Sequence, residues 1–308
     1  MRRFLPMSKI LKQLLAVIFL AAILLPTGCT PKPEAKTSTW QVSITDDTKA
    51  EVTLTAKPQR IVSLSPSLTE ILFALGLGDR VVGVTSWDDY PPEVKEKPVV
   101  GDLQAGAEAV LAQNPDLVLA SGLNMATVTS LRQTKIPVLV FDPQSMEDIF
   151  HTIERIAQAA GVEKAGQDLM GKMQRELTEI TALLPKTDRV SVFIEVGWDP
   201  LFTTGSDTFL HDITTLAGGQ NIAGDVTGWV QYSTEELIAK NPDVIITTTG
   251  HGTDPVGSIK KRPGWDRIKA VQDGRIVVLD PNLVFRPGPR SVQLVQELVR
   301  SFYPDSGN

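Results

Sequence analysis

The sequence predicts an α/β protein built as two similar lobes with mostly parallel sheets, one on each side of a helical bridge. Three observations carry this. Short apolar strands alternate with helical segments from Arg60 to about Phe141 and again from Val190 to Phe302, the pattern of parallel strands covered on both faces. Between about Ser145 and Leu184 no strand pattern occurs. Finally, Glu108-Ala-Val-Leu-Ala-Gln-Asn-Pro-Asp-Leu-Val-Leu119 matches Glu235-Glu-Leu-Ile-Ala-Lys-Asn-Pro-Asp-Val-Ile-Ile246 at an offset of 127 residues. Solenoid repeats have periods of about 20–50 residues, so a repeat this long marks two alike lobes.

The chain has 308 residues, 42% of them hydrophobic and 21% charged, a composition that folds. Its net charge of −6 and pI near 5.2 leave no basic footprint for nucleic acid. Residues 1–28 differ from the rest: Arg2, Arg3, Lys9 and Lys12 lead into an apolar run from Leu14 to Leu25, closed by Pro26-Thr27-Gly28. This is the layout of a secretory signal peptide, and the run is short for a membrane span. Cys29 is the sole cysteine, which excludes an internal disulfide framework and multi-cysteine metal sites. Thr-Gly-Cys29 resembles the lipobox of bacterial lipoproteins, with Pro26 where leucine is usual. That likeness implies lipid on Cys29; an ordinary secretory signal would leave a free thiol. Residues 29–39 read as the lipidated cysteine and a proline-rich flexible tether.

From Trp40 the elements follow in order. Gln41–Thr45 and Glu51–Thr55 alternate apolar and polar residues around Asp46-Asp47-Thr48-Lys49, a β-hairpin. Ile61–Leu64, Val81–Thr85, Leu117–Ala120 and Val138–Phe141 read as strands, and Ser67-Leu-Thr-Glu70 as a capping box opening a helix. Ile149, Ile153 and Ile156 form one helical stripe, and Leu169, Met173, Leu177, Ile180 and Leu184 another. Strands at Val190–Val196, Val244–Thr248 and Ile276–Leu279 and helices at Thr208–Ala217, Glu235–Lys240 and Ser291–Phe302 complete the second half. The expected division is an N-terminal lobe at 40–160, a connecting helix within 161–187 and a C-terminal lobe at 188–308.

Reactive chemistry is sparse. The three histidines, His151, His211 and His251, show no metal-ligand spacing, and the nucleophile-elbow, dinucleotide and P-loop patterns are absent. No metal site or catalytic residue is expected; a hydrolase would need His251 beside a scattered serine. What stands out is aromatic residues in loops: Trp87 and Tyr90 in Ser-Trp-Asp-Asp-Tyr-Pro-Pro, Trp198 in Gly-Trp-Asp-Pro, Trp229 in Gly-Trp-Val-Gln, and Phe285 beside Arg286. In open α/β sheets, loops at the carboxyl ends of strands line the binding crevice, and aromatics there suit a sizeable ligand with a planar or apolar surface. Packing inside the lobes is the competing role for each; Trp40 and Trp265 are read as structural.

Taken together, Arg60-Ile-Val-Ser-Leu-Ser-Pro-Ser-Leu-Thr-Glu70, Val-Gly-Val-Thr-Ser-Trp-Asp-Asp-Tyr-Pro-Pro92, Asn-Pro-Asp-Leu-Val118 and Arg-Pro-Gly-Pro-Arg290 resemble the cobalamin- and iron-siderophore-binding solute receptors of ABC importers, over about residues 40–303. The resemblance implies two lobes joined by one long rigid helix, for which Glu163–Leu184 is the candidate, with ligand in the cleft between them. It implies an extracytoplasmic monomer, lipid-anchored to the cell membrane on its periplasmic or outer face, that binds a small molecule, uses no cofactor, and docks on a permease dimer driven by a cytoplasmic ATPase. Glu108 and Glu235 match the family's permease-docking acids; the alternative for each is to complement its own helix dipole. Trp87, Tyr90, Trp198, Trp229, Asn282, Phe285 and Arg286 are the expected ligand contacts. The aromatics would hold a corrin rim, and Asn282 and Arg286 its amides or phosphate. Cobalamin or another corrinoid is the expected ligand. Arg286 and Arg290 equally suit an anionic ferric siderophore, and Tyr90 an axial place on haem.

Overall fold

The computed structural model describes residues 40–102, 104–186 and 189–304; Cys29, the signal and tether segments and the side chain of His251 lie outside them. The chain opens with the expected hairpin, β1 (Val42–Thr45) antiparallel to β2 (Glu51–Leu54). The buried Asp46 ties its turn: Oδ1 accepts from the N–H groups of Thr48 and Ala50, and Oδ2 from Arg132 and the Val140 N–H.

The first lobe runs β3 (Ile61–Ser63), α1 (Pro66–Ala74), β4 (Val81–Gly83), α2 (Ala107–Leu111), β5 (Leu117–Ala120), α3 (Met125–Leu131) and β6 (Val138–Val140). The four strands lie in the order β4-β3-β5-β6, all parallel. The predicted capping box is not made. Ser65 is the residue before α1, Ser67 lies inside the helix with its hydroxyl 3.1 Å from that of Ser65, and Glu70 turns away to Arg290.

Between the two parallel sheets in chain order come α4 (Met146–Ala160) and α5 (Glu163–Thr181), the second of them within the 161–187 segment expected to connect the lobes. Ser145 caps α4 by accepting from the Asp148 N–H at 3.1 Å. Gly161 ends it at φ +65°, where a Cβ would meet the Lys57 side chain as well as the strain of the left-handed region. Helix α4 packs on β1, and α5 packs on α4 and on the C-terminal helix.

The second lobe contains β7 (Val190–Ile194), β8 (Gly197–Trp198), β9 (Leu201–Thr204), α6 (Phe209–Leu216), β10 (Gly219–Asn221), β11 (Trp229–Gln231), α7 (Thr234–Lys240), β12 (Val244–Thr248), α8 (Pro255–Lys260), α9 (Lys269–Gln272), β13 (Ile276–Leu279), α10 (Pro281–Val284) and α11 (Ser291–Phe302). Its parallel sheet has the order β10-β7-β12-β13. Counted along the chain within each sheet, both lobes read 2-1-3-4. A smaller antiparallel sheet, β11-β9-β8, is the addition that the strand pattern does not announce, and it moves Trp198 and Trp229 from predicted loops onto short strands.

The internal repeat has a mechanical reason. In each copy asparagine takes a left-handed conformation at the helix end, Asn114 at φ 48° and Asn241 at φ 45°, and proline stops the helix. The aspartate then binds the start of the neighbouring strand segment: Asp116 accepts from the N–H groups of Gln59 and Arg60, and Asp243 from the N–H and hydroxyl of Ser191. The same three residues thus join the third strand of each sheet to the first.

The central strands of the two parallel sheets are buried on both faces, and the period of two divides them between cores. Leu117 and Leu119 of β5, Val192 and Ile194 of β7, and Val244 and Ile246 of β12 enter one apolar cluster with α4, Met173 and Ile180 of α5, and α11. Val118 and Ala120 face a second cluster in the first lobe, and Phe193 and Ile245 a third that includes Trp265. Trp265 is buried and Trp40 packs against the shared cluster, as their structural reading requires.

Candidate ligand-binding face

The carboxyl ends of the strands carry the predicted ligand contacts. Beyond β4, Asp88 Oδ2 accepts from the Thr85 N–H at 2.9 Å and its hydroxyl at 2.6 Å, which folds the turn that presents Trp87. Asp88 Oδ1 is buried with no hydrogen-bond partner, and burial pushes this carboxyl above its ordinary range against the pull of Thr69, Thr85 and Arg286. Beyond β13, Asp280 accepts from the Asn282 N–H at 2.8 Å and starts α10, so that Asn282, Phe285 and Arg286 leave from one tight turn.

Six of the seven predicted residues gather around α10. Asn282 Nδ2 donates to Asp89 at 3.1 Å, and Arg286 donates to Asp89 at 2.5 Å and to the Trp87 carbonyl at 2.8 Å. Trp229 and Phe285 place their ring centroids 6.2 Å apart. The Arg290 guanidinium lies 4.3 Å from the centroid of Tyr90. Trp87 is 59% exposed and Trp229 51%, with Tyr90 and Phe285 also largely open to solvent. Side chains of this size are ordinarily buried, and covering one stabilises by roughly 1.5–3 kcal/mol.

Beneath them runs a charge network between the lobes. Glu70 on α1 has a side chain 2% exposed and accepts from Arg290 at 2.8 and 2.5 Å, with Arg286 at 3.5 Å. Burial raises the Glu70 carboxyl above its usual range, and the two arginines oppose it. Arg286 is nearly buried and each arginine already has a carboxylate, so neither offers an uncompensated charge.

Trp198 stands apart. It pairs with Leu201 and Trp229 with Thr204, so alternation along β9 directs the two indoles to opposite faces of the small sheet. Trp198 instead covers Arg262, whose guanidinium sits 5.3 Å from its centroid and 4.4 Å from that of Trp265 and is ion-paired with the fully buried Glu195.

Glu108 and Glu235 are exposed in the first turns of α2 and α7. Ser233 caps α7 by accepting from the Glu236 N–H, but the reciprocal bond of a capping box is absent: the Glu236 carboxylate accepts from Tyr232 and pairs with Lys240. The Ser233 hydroxyl donates to Glu235 at 2.8 Å, and backbone and serine hydrogen bonds hold that carboxyl below its usual range.

The sequence reads Glu70 as a helix cap and gives Asp89 no role of its own, yet both hold the arginines here; at the carboxyl end of β5 it also passes over Leu123 and Met125. Leu123 is 73% exposed and Met125 is exposed beside it, on the turn after β5 that Ser121 and Asn124 lock through 2.8 and 3.0 Å bonds. A leucine and methionine flanking an Asn cap at the end of a buried strand was the available signal. A separate groove of about 1220 Å³ lies along α5, lined by residues including Glu70, Tyr90, Asp168, Lys172 and Arg290; Tyr90 is the one predicted contact it shares. Among the described residues no group of three or more metal-ligating side chains occurs, and no helix is long and apolar enough to cross a membrane.

Comparison with known proteins bears on this arrangement. The family model described as "Periplasmic binding protein" matches residues 61–283. The chain is 42% identical over 307 residues to an uncharacterized ABC transporter substrate-binding lipoprotein, YvrC, of Bacillus subtilis, covering 94% of this chain and 96% of that one. It is 30% identical over 249 residues to the vitamin B12-binding protein of Pectobacterium carotovorum, covering 79% and 88%. Among solved structures, a possible iron-binding periplasmic solute-binding protein from Staphylococcus epidermidis superimposes with a TM-score of 0.74 at 35% identity, covering 80% of this chain and all of that one.

Proposed function

The chain belongs to the periplasmic binding protein family, and from that premise we propose that it is the extracytoplasmic receptor of an ABC importer that captures a corrinoid, cobalamin being the expected ligand. It hands the ligand unaltered to a permease dimer driven by a cytoplasmic ATPase. The relatives bearing vitamin B12-binding and substrate-binding names support a carrier rather than an enzyme. One observation favours a corrinoid over an anionic cargo: exposed aromatics surround α10 while both arginines that an anion would need are held by carboxylates. A corrin has apolar edges for Trp87, Tyr90, Trp229 and Phe285 and a fringe of neutral amides for Asn282 and Asp89.

In this reading Glu108 and Glu235 are the docking acids, one on the equivalent helix of each lobe, and their common Asn-Pro-Asp anchorage holds both at the same place relative to their sheets. Paired charges on separate lobes orient the receptor and speed encounter. Cys29 carries the lipid that keeps the protein at the membrane. A haem reading keeps one point in its favour, the exposed Tyr90 ring as an axial candidate. Titration of the purified protein with cyanocobalamin, haemin and ferric siderophores, followed by tryptophan fluorescence and calorimetry, tests the proposal. Saturable binding of cyanocobalamin alone supports it, and preference for haemin or a siderophore overturns it.

A further inference from the structure

Asp89 is the one carboxylate of the charge network with an open side chain, 47% exposed, and it lies between Trp87 and Tyr90. It holds both polar side chains of α10's turn, Asn282 at 3.1 Å and Arg286 at 2.5 Å. Arg286 and Arg290 bring two positive charges, and Glu70 and Asp89 bring two negative ones. The group is therefore balanced before any ligand enters. A carboxylate arriving at Arg286 would have to displace Asp89 or share the guanidinium with it, adding net negative charge where Glu70 and Arg286 are almost wholly out of water. An amide meets no such obstacle: its N–H can donate to a remaining lone pair of Asp89, each of whose oxygens already accepts one bond, and its carbonyl can accept from the second N–H of Asn282.

We propose that Asp89 is a specificity-determining residue: it withholds Arg286 from anionic ligands and so selects a macrocycle whose periphery is made of neutral amides. The inference rests on the corrinoid reading and adds to it the group that turns anions away. Discrimination here works by denying the competitor a charge partner more than by improving contacts to the favoured ligand.

The test is Asp89→Asn in the whole protein, which keeps the shape of the side chain and removes its charge. Affinities are measured by tryptophan fluorescence for cyanocobalamin and for its monocarboxylic acids, in which one peripheral amide has been hydrolysed and the ring is unchanged. The parent protein is expected to prefer the amide by about tenfold or more, and D89N to narrow this to about threefold, through tighter binding of the acid. An unchanged ratio, or affinities that fall together for both probes, overturns the proposal and leaves Asp89 a brace for Arg286. Asp89→Ser must narrow the ratio in the same way. If the parent takes up no cyanocobalamin, the corrinoid reading fails by itself. The inference is then decided by haemin, whose two propionates must bind D89N about fivefold or more tighter than the parent; no gain overturns it.

Discussion

Glu70, on the first helix of one lobe, accepts two hydrogen bonds from Arg290, at the start of the last helix of the other. The pair is shielded from water, and removing one partner of such a pair usually costs about 3–5 kcal/mol because the other charge stays buried. Arg286 remains 3.5 Å from Glu70 and absorbs part of the loss. Arg290→Met is therefore expected to lower stability by about 2–3 kcal/mol, measured by urea unfolding. Lys172→Met, which removes an exposed pair with Glu176, is expected to change it by less than about 0.5 kcal/mol.

Trp229 and Phe285 face one another and Trp198 lies on the opposite face of the small sheet. Trp229→Ala is expected to weaken cyanocobalamin binding by about tenfold or more, and Trp198→Ala by less than about threefold. Calorimetry on both variants checks this, and equal losses would return Trp198 to the ligand face.

Glu108→Ala together with Glu235→Ala is expected to abolish uptake in cells while leaving ligand affinity within about twofold of the parent. Both acids are exposed, so a fall in affinity would place them in the wrong role.

Asp243 gives a pH signature. Partial burial raises its carboxyl, but Lys269 and the two Ser191 hydrogen bonds outweigh that and bring it down to about 2 from an ordinary 3.8. A depressed carboxyl stabilises the fold fully above its unfolded value, and that contribution is lost as pH falls from about 4 to 2. Asp243→Asn is expected to cost on the order of 1–2 kcal/mol at pH 7, with the difference from the parent shrinking toward pH 2. Urea unfolding at several pH values reads the slope.

Cys29→Ser is expected to release the protein from membranes into the soluble fraction, because the acyl chain on Cys29 is the proposed tether and no helix among the described residues is long and apolar enough to cross a membrane. Persistent sedimentation with membranes would mean that the N-terminal segment itself remains as the anchor.

The sequence made the lobes legible because their signals are local. Four buried apolar residues at Leu117–Ala120, and three apolar residues followed by two threonines at Val244–Thr248, read as central strands once proline stops the helix before them. The small sheet was not legible: β8 has two residues and β11 three, too short for alternation to register, and pairing with β9 creates them. The aromatic residues were legible as a set because tryptophans beside Asp and Pro are poor core strands. Their division was not, since the face on which Trp198 lies depends on a register that only the fold fixes. Glu70 matched a helix cap by spacing, yet its partner lies 220 residues away, beyond the reach of any local pattern.

That distance ties the two lobes together. The strands of the first lobe end at Val140, yet the arginine that donates twice to its interior acid lies 150 residues further along the chain. The first lobe therefore cannot match its buried carboxylate from within its own sequence: the counter-ion is lent by the final helix of the other, so neither half is electrically complete without its neighbour.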